Sequence, residues 1–544
     1  MVRIIWIIFF GVCNFQLLAS GNFNNPPDSI LGALTPARNS WEVSGYVLNL
    51  RYDTVTGAIS GSNKIIYHRI KKTPFWQIDL APQFTVKSVT DHFNKPLSWS
   101  RKDGTILFPE ITDNDTGSFI ISYAGIPREA PLAPWEGGFV RRRDPYHNDP
   151  WITVAFQGLG ASSWFPLKDH LSDEPDSVRI FITVPVTLQA ICNGKLISKR
   201  PAKPGEHTFE YFISCPINTY NITLNIGNYE QHTKTLSGIS GELTADFYVL
   251  KNTPDTAIDY LREESQKMIT AMEYYFGAYP CYADGFGLIE TPYWGMEHQG
   301  LIAYGNRGNR LPEGFDFIIV HESGHEWWGN SVSVNDAAEL WIHEGFTTYS
   351  EALYLEYWQG YEKSIYYLQK QKLNIENSSP LLGPMNINYD GWKDSDIYFK
   401  GTWFLHTLRN HLHNDSVWFS GLKYIPTHYH YQSFSTEELL AYWEKSWNQK
   451  LAPLFSQYLE NTKIPVLKIT RKGEGKWRHT VPGFDLNLNS PSFGKIRNSG
   501  EYTLKGDLKM LKNLSKQEWK GLERYYLIKV KGGKNRGTQA HPKP

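Results

Sequence analysis

The chain has 544 residues, more than one hydrophobic core usually organises, so roughly two to four domains are expected rather than one globule. Lys plus Arg number 55 and Asp plus Glu number 55. That balance gives no reason to expect a polyanion such as nucleic acid as partner.

The chain starts with Arg3 ahead of the apolar run Ile4 to Val12, followed by the small residues Ala19-Ser20-Gly21. This is the layout of a secretory signal peptide over residues 1–21, with the mature chain beginning near Asn22. The run is well short of the roughly 20 apolar residues that span a bilayer, and no later segment is long enough either. We therefore expect an exported protein, periplasmic or secreted, with no integral membrane segment once the signal is removed. Cys192, Cys215 and Cys281 remain after the signal. Cys192 and Cys215 share a strand-rich region and are open to two readings, a bridge or buried free thiols.

From about Asn39 to Leu250 short alternating bursts, such as Tyr46, Leu48, Leu50 and Tyr52, are separated by Gly, Pro, Asn and Asp. Period-two alternation of this kind predicts a large antiparallel β-domain over 22–250. From Ala257 to Phe276 the apolar spacing becomes helical and stays so to about Leu459, which predicts a helix-rich domain over 251–461. Extended pieces return with Val466 to Thr470, giving a small terminal β-domain and tail over 462–544. The fold class is thus multidomain α+β.

The helix-rich part contains His321-Glu322-Ser323-Gly324-His325 after the apolar run Phe317 to Val320. On a helix, residues four apart share a face, so both imidazoles can meet one zinc ion while Glu322 stays free to take a proton from the attacking water. Catalytic zinc needs a third protein donor. Glu344 lies beyond His325 with 18 residues between them, in Trp341-Ile342-His343-Glu344-Gly345-Phe346. Gly329-Asn330 offers a stop for the first helix, so a second helix can return Glu344 to the histidines. His343, facing another way from its neighbour, is not expected to be a ligand.

This segment resembles the zinc aminopeptidase family of aminopeptidase N and leukotriene hydrolase, the gluzincin metallopeptidases, whose signature is H-E-x-x-H, 18 residues, then Glu in a W-x-x-E-G-F-like helix. The family's G-x-M-E-N strand motif is matched by Trp294-Gly295-Met296-Glu297-His298, with Trp and His as departures. The resemblance implies that Glu297 anchors the substrate's free α-amino group, with Gly295 and Gln157 also binding substrate. A carboxylate there pairs with an ammonium and leaves no room for a preceding residue. Tyr398, in Tyr398-Phe399-Lys400-Gly401, is implied as the phenol that stabilises the oxyanion; Tyr389 and Tyr349 are read as packing. Met296 is one candidate for the wall of the side-chain pocket.

The resemblance, over roughly residues 40 to 490, further implies a saddle-like N-terminal β-domain, a thermolysin-like catalytic domain and a small C-terminal β-sandwich. It implies one Zn2+ per chain and, as substrates, peptides with a free N-terminus. Many members continue into a large helical domain, so with an end at Pro544 the expectation is a more open cleft or a partner subunit as cover. Two other readings compete: a hydrolase acting on a lipid epoxide, and a catalytically dead binding protein. Glu322 and Tyr398 argue against the second, because a structural zinc needs neither a base nor an oxyanion donor.

Overall fold

The alternating segment Trp41–Tyr52 forms a strand with Tyr46, Leu48, Leu50 and Tyr52 buried. In the computed structural model, which describes residues 29–111, 114–412 and 414–462 together with the backbone of four later strands, it lies at the centre of a seven-stranded sheet. The strand order is Lys195–Pro201, Glu206–Ile213, Ser177–Pro185, Trp41–Tyr52, Ile59–Arg69, Thr116–Gly125 and Thr85–Asp91. The expectation of a purely antiparallel domain needs one correction: Trp41–Tyr52 runs parallel to Ser177–Pro185, with Leu48 opposite Ile180. Alternation reports which face is buried and carries no information on strand direction. A four-stranded sheet and a three-stranded sheet accompany it, and Trp41, Trp76, Phe119, Phe156 and Trp164 fill the shared core.

The second sheet has the order Tyr229–Gly238, Gly241–Leu250, Phe286–Glu290, Ile302–Tyr304, Gly295–Met296. Its first hairpin, which the alternation pattern groups with the N-terminal β-domain, pairs in parallel with Phe286–Glu290 through Phe247 and Leu288. The hairpin therefore belongs structurally with the helices that follow. Those are led by Asp255–Phe276, which stops where Gly277 takes φ 92°, a left-handed backbone suited to glycine. The helices share one core that includes Met268, Trp328, Phe346, Phe404 and Trp418.

Gly295–Met296 is an edge strand and pairs antiparallel with Ile302–Tyr304. Met296, the next residue on that strand, is buried among residues of the N-terminal domain's core. Beyond residue 462 the described strands Tyr502–Lys505, Lys476–Thr480, Val466–Arg471 and Leu527–Lys531 form one four-stranded sheet in that order. The remainder of that region, on which the expected sandwich depends, lies outside the described residues, as does the signal segment. Among the described residues no helix is long and apolar enough to cross a membrane.

Cys215 bonds Cys281, and Cys192 is a buried free thiol. The bridge considered from the sequence, Cys192 with Cys215, is thereby excluded. The true partner follows 66 residues on, across the domain junction, where proximity in sequence is no guide.

Candidate metal and substrate site

Asp316 starts the helix Phe317–Gly324 by accepting hydrogen bonds from the N–H groups of Ile318 and Ile319, the usual role of an N-cap carboxylate. The helix ends at Gly324, earlier than the Gly329-Asn330 signal suggests, but His325 keeps helical angles of φ −62° and ψ −20°. The following turn is widened by bonds from Asn330 N to His325 O and from Ser331 N to Glu326 O. His321 and His325 thus remain on one face.

The helix Trp341–Gln359 brings Glu344 to them. Glu344 Oε2 stands 3.6 Å from His321 Nε2 and 3.4 Å from His325 Nε2, separations too long for strong hydrogen bonds. All three residues are buried, and their ligand atoms lie within 4.8 Å of one another. Each histidine has its other nitrogen occupied: His321 Nδ1 is 2.7 Å from Glu351 Oε1, and His325 Nδ1 is 3.0 Å from the carbonyl of Trp328. Acceptors at Nδ1 place the proton there and leave the Nε2 lone pairs facing the gap. Glu344 Oε2 is itself buried without a hydrogen-bond partner. Two imidazole lone pairs and an orphaned carboxylate oxygen converging on one point are the donor set of a hydrolytic zinc site, and His321, His325 and Glu344 are a candidate zinc-binding group.

Glu351 is a residue that sequence reasoning passed over. It follows Glu344 by two helical turns and so lies on the same stripe, a signal that was available. Its other oxygen, Oε2, accepts from Tyr367 Oη at 2.5 Å and Gln371 Nε2 at 3.0 Å, so the carboxylate that orients His321 is itself held.

Two other clusters of possible metal donors occur among the described residues. Cys215 and Cys281 are consumed by the disulfide. In the third, Asp144 already accepts from the N–H groups of Tyr146, His147 and Asp149, which is loop architecture.

Glu322 is buried, and a Cβ on Gly295 would lie 2.7 Å from its Oε1. Gly295 is therefore required for the carboxylate to sit against the edge strand. Burial, opposed by His321 and reinforced by Glu297, pushes the Glu322 carboxyl up to about 7. Burial alone would raise Glu344 too, but His325 and His321 beside it hold that carboxyl well below the usual range.

Glu297 is buried and its carboxyl is raised by burial, with His325 opposing and Glu344 adding to the shift. Tyr220 donates to Glu297 Oε1 at 3.0 Å, and Asn330 Nδ2 donates to the Glu297 backbone carbonyl at 3.0 Å. Neither partner was foreseen, since both come from connecting segments without a motif. His298, the departure next to Glu297, is fully buried with both ring nitrogens lacking partners among the described residues. Burial lowers it to about 3, so it is neutral.

Gln157 Nε2 donates to Glu344 Oε1 at 3.0 Å, placing this residue at the metal carboxylate. Beside Gln157 and Tyr220 a small cleft opens, lined also by Leu171, Ala337 and Leu340. Tyr398 lies on the helix Asp396–Leu412, its ring centroid 6.1 Å from that of His321 with the planes 29° apart. His343 is buried, with Nε2 3.5 Å from Ser333 Oγ, and is not one of the three clustered ligand residues.

Residues 260–458, which contain His321, His325 and Glu344, match the peptidase family M1 domain. The M1 zinc metallopeptidase of Deinococcus radiodurans has a similar fold, with a TM-score of 0.68 at 21% identity, covering 80% of this chain and 98% of that one. A mutant of it bound to a Tyr-Ser-Ala substrate gives 0.66 at 20% identity with the same coverage. Aminopeptidase M1 of Arabidopsis thaliana is 23% identical over 85% of this chain and 57% of its own. Probable aminopeptidase 1 of Sulfurisphaera tokodaii is 22% identical over 65% and 46%. The chain spans about half the length of these two curated relatives.

Proposed function

We propose that the chain is a zinc-dependent aminopeptidase, hydrolysing the first peptide bond of peptides with a free N-terminus. One observation carries the reading: the His321, His325 and Glu344 donor atoms converge beside a second buried carboxylate, Glu297, that is not needed as a ligand. The match of residues 260–458 to the M1 domain and the similarity to aminopeptidases support it.

When bound, zinc supplies Lewis-acid polarisation of the scissile carbonyl and lowers the pKa of water to about 7. His321 and His325 present Nε2, and Glu344 presents Oε2. Glu322 accepts the proton of the attacking water and returns it to the departing amine. The Tyr398 phenol donates to the oxygen on which negative charge develops. Glu297 pairs with the substrate's ammonium. Gln157 donates one N–H to Glu344, and its carbonyl oxygen is the acceptor an ammonium requires. The charged-then-apolar stretch Met1 to Ser20 supports export of the enzyme.

The test is hydrolysis of aminoacyl-fluorophores and their N-acetylated counterparts, with and without a chelator, by the wild type and by Glu322→Gln. Cleavage restricted to free amines, abolished by chelator and reduced at least about a hundredfold in the variant, is expected. Equal cleavage of blocked substrates would remove Glu297 from its role.

A further inference from the structure

Trp294 and Trp135 are large apolar side chains left 39% and 38% exposed, and they are not isolated. Their ring centroids are 6.4 Å apart, and the Trp294 ring is 6.3 Å from that of Phe317. Phe317 in turn stacks on His321 at 5.2 Å with planes 27° apart. A row of rings therefore leads from a metal-donor histidine out to the surface. Scattered exposed aromatics need no explanation, but a contiguous row continuous with a reaction centre does.

The two ends are held by different domains. Phe317 opens the helix that carries His321. Trp135 stands at the tip of a turn closed by the bond from Glu136 N to Leu132 O at 2.8 Å, on the way into the N-terminal domain's strand Gly138–Arg143. Trp294 directly precedes the edge strand, and its carbonyl accepts from Gly305 N at 2.8 Å.

That bond fixes how the edge is presented. It flanks the pair Gly295–Tyr304, so this pair is of the non-hydrogen-bonded type, and the N–H and C=O of Gly295 point away from the sheet. An extended peptide can pair with them. With its amine at Glu297 and running antiparallel, it passes Gly295 and continues toward Trp294. Extended chain advances ~3.4 Å per residue, so each step between rings matches about two residues.

We propose that Phe317, Trp294 and Trp135 form an aromatic platform for the part of the substrate beyond the scissile bond, selecting peptides whose second or third residue carries a flat or bulky apolar side chain. The platform rests on the aminopeptidase reading for its direction of binding. Offset and edge-on ring contacts favour aromatic side chains over small ones. The basis for selection is geometric: successive side chains of an extended peptide point to opposite faces, so only one of the two positions meets the rings.

The experiment compares Leu-Ala-Ala, Leu-Phe-Ala and Leu-Ala-Phe in two ways. Affinity is read by intrinsic fluorescence titration of zinc-loaded Glu322→Gln, and turnover of the wild type is read as kcat/KM relative to leucinamide. One of the two Phe peptides is expected to bind about tenfold tighter than Leu-Ala-Ala and to be turned over about tenfold better relative to leucinamide. Trp135→Ala and Trp294→Ala should bring both ratios close to one, with Trp135→Phe restoring most of the effect. Equal binding of all three peptides, or a preference untouched by either substitution, overturns the platform. Selective binding without any turnover would keep the platform and overturn the aminopeptidase reading; turnover without selectivity would do the reverse.

Discussion

Gly345 and Gly401 meet backbone to backbone: a Cβ on Gly345 would lie 3.1 Å from Cα of Gly401, and one on Gly401 would lie 3.0 Å from Cα of Gly345. The first follows Glu344 and the second follows Tyr398 by three residues, so this crossing of helices Trp341–Gln359 and Asp396–Leu412 sets how close the phenol comes to the metal carboxylate. A side chain on either would press on the facing backbone, which would have to shift by a few tenths of an ångström. Gly401→Ala is expected to destabilise the protein by about 1–3 kcal/mol and to lower kcat further than the loss of folded protein explains. Thermal melting alongside kinetics of the folded fraction checks this; an unchanged kcat would show that the crossing does not position Tyr398.

Glu351 holds His321 through Nδ1. Partners of this kind orient a ligand and raise its basicity, and their loss typically costs 10–100-fold in metal affinity. Glu351→Gln keeps the shape, so the lower end, about tenfold, is expected, measured by competition with a chelator of known affinity. Unchanged affinity would mean that the Trp341–Gln359 helix orients His321 by packing alone.

Much of the site was legible because its chemistry is periodic. His321 and His325 follow from helical spacing, and the same geometry would have found Glu351 from Glu344. Tyr220 and Asn330 were not legible, because Tyr220 lies in the short turn Thr219–Asn221 and Asn330 after a helix end, where no period constrains what a side chain meets. The hairpin Tyr229–Gly238 with Gly241–Leu250 shows a second limit: its alternation identifies strands, yet only the long-range pairing of Ala245 with Phe286 assigns them to a sheet. Cys215 and Cys281 are joined for the same reason, by topology rather than by spacing.

Tyr220 donates its hydrogen bond to Glu297. A hydrogen bond to a charged group is worth about 1.5–3 kcal/mol, so Tyr220→Phe is expected to lower kcat/KM for free-amine substrates by at least about tenfold, mainly through KM. Zinc content should not change. Loss of zinc instead would place Tyr220 in support of the metal ligands.

Glu174 gives the fold a pH dependence. Both its carboxyl oxygens are buried without partners among the described residues, and burial, reinforced by Asp173, pushes it up to about 8. The folded state therefore binds this proton more tightly than the unfolded chain, whose ordinary value is 4.5. Its contribution is fully present below the unfolded value and is lost as pH rises toward 8, by about 1.4 kcal/mol for each pKa unit of displacement. Urea denaturation from pH 5 to 8 should show stability falling with pH in the wild type and a flatter profile in Glu174→Gln. Parallel profiles would mean that the carboxyl is not protonated in the fold.

The most direct measurement is the register of cleavage. A zinc-loaded sample is incubated with a decapeptide and with its N-acetylated form, and the products are read by mass spectrometry over time. The account predicts a ladder losing one residue at a time from the free N-terminus and no cleavage of the acetylated peptide, both abolished by chelator. Internal fragments, or equal processing of the blocked peptide, would contradict it.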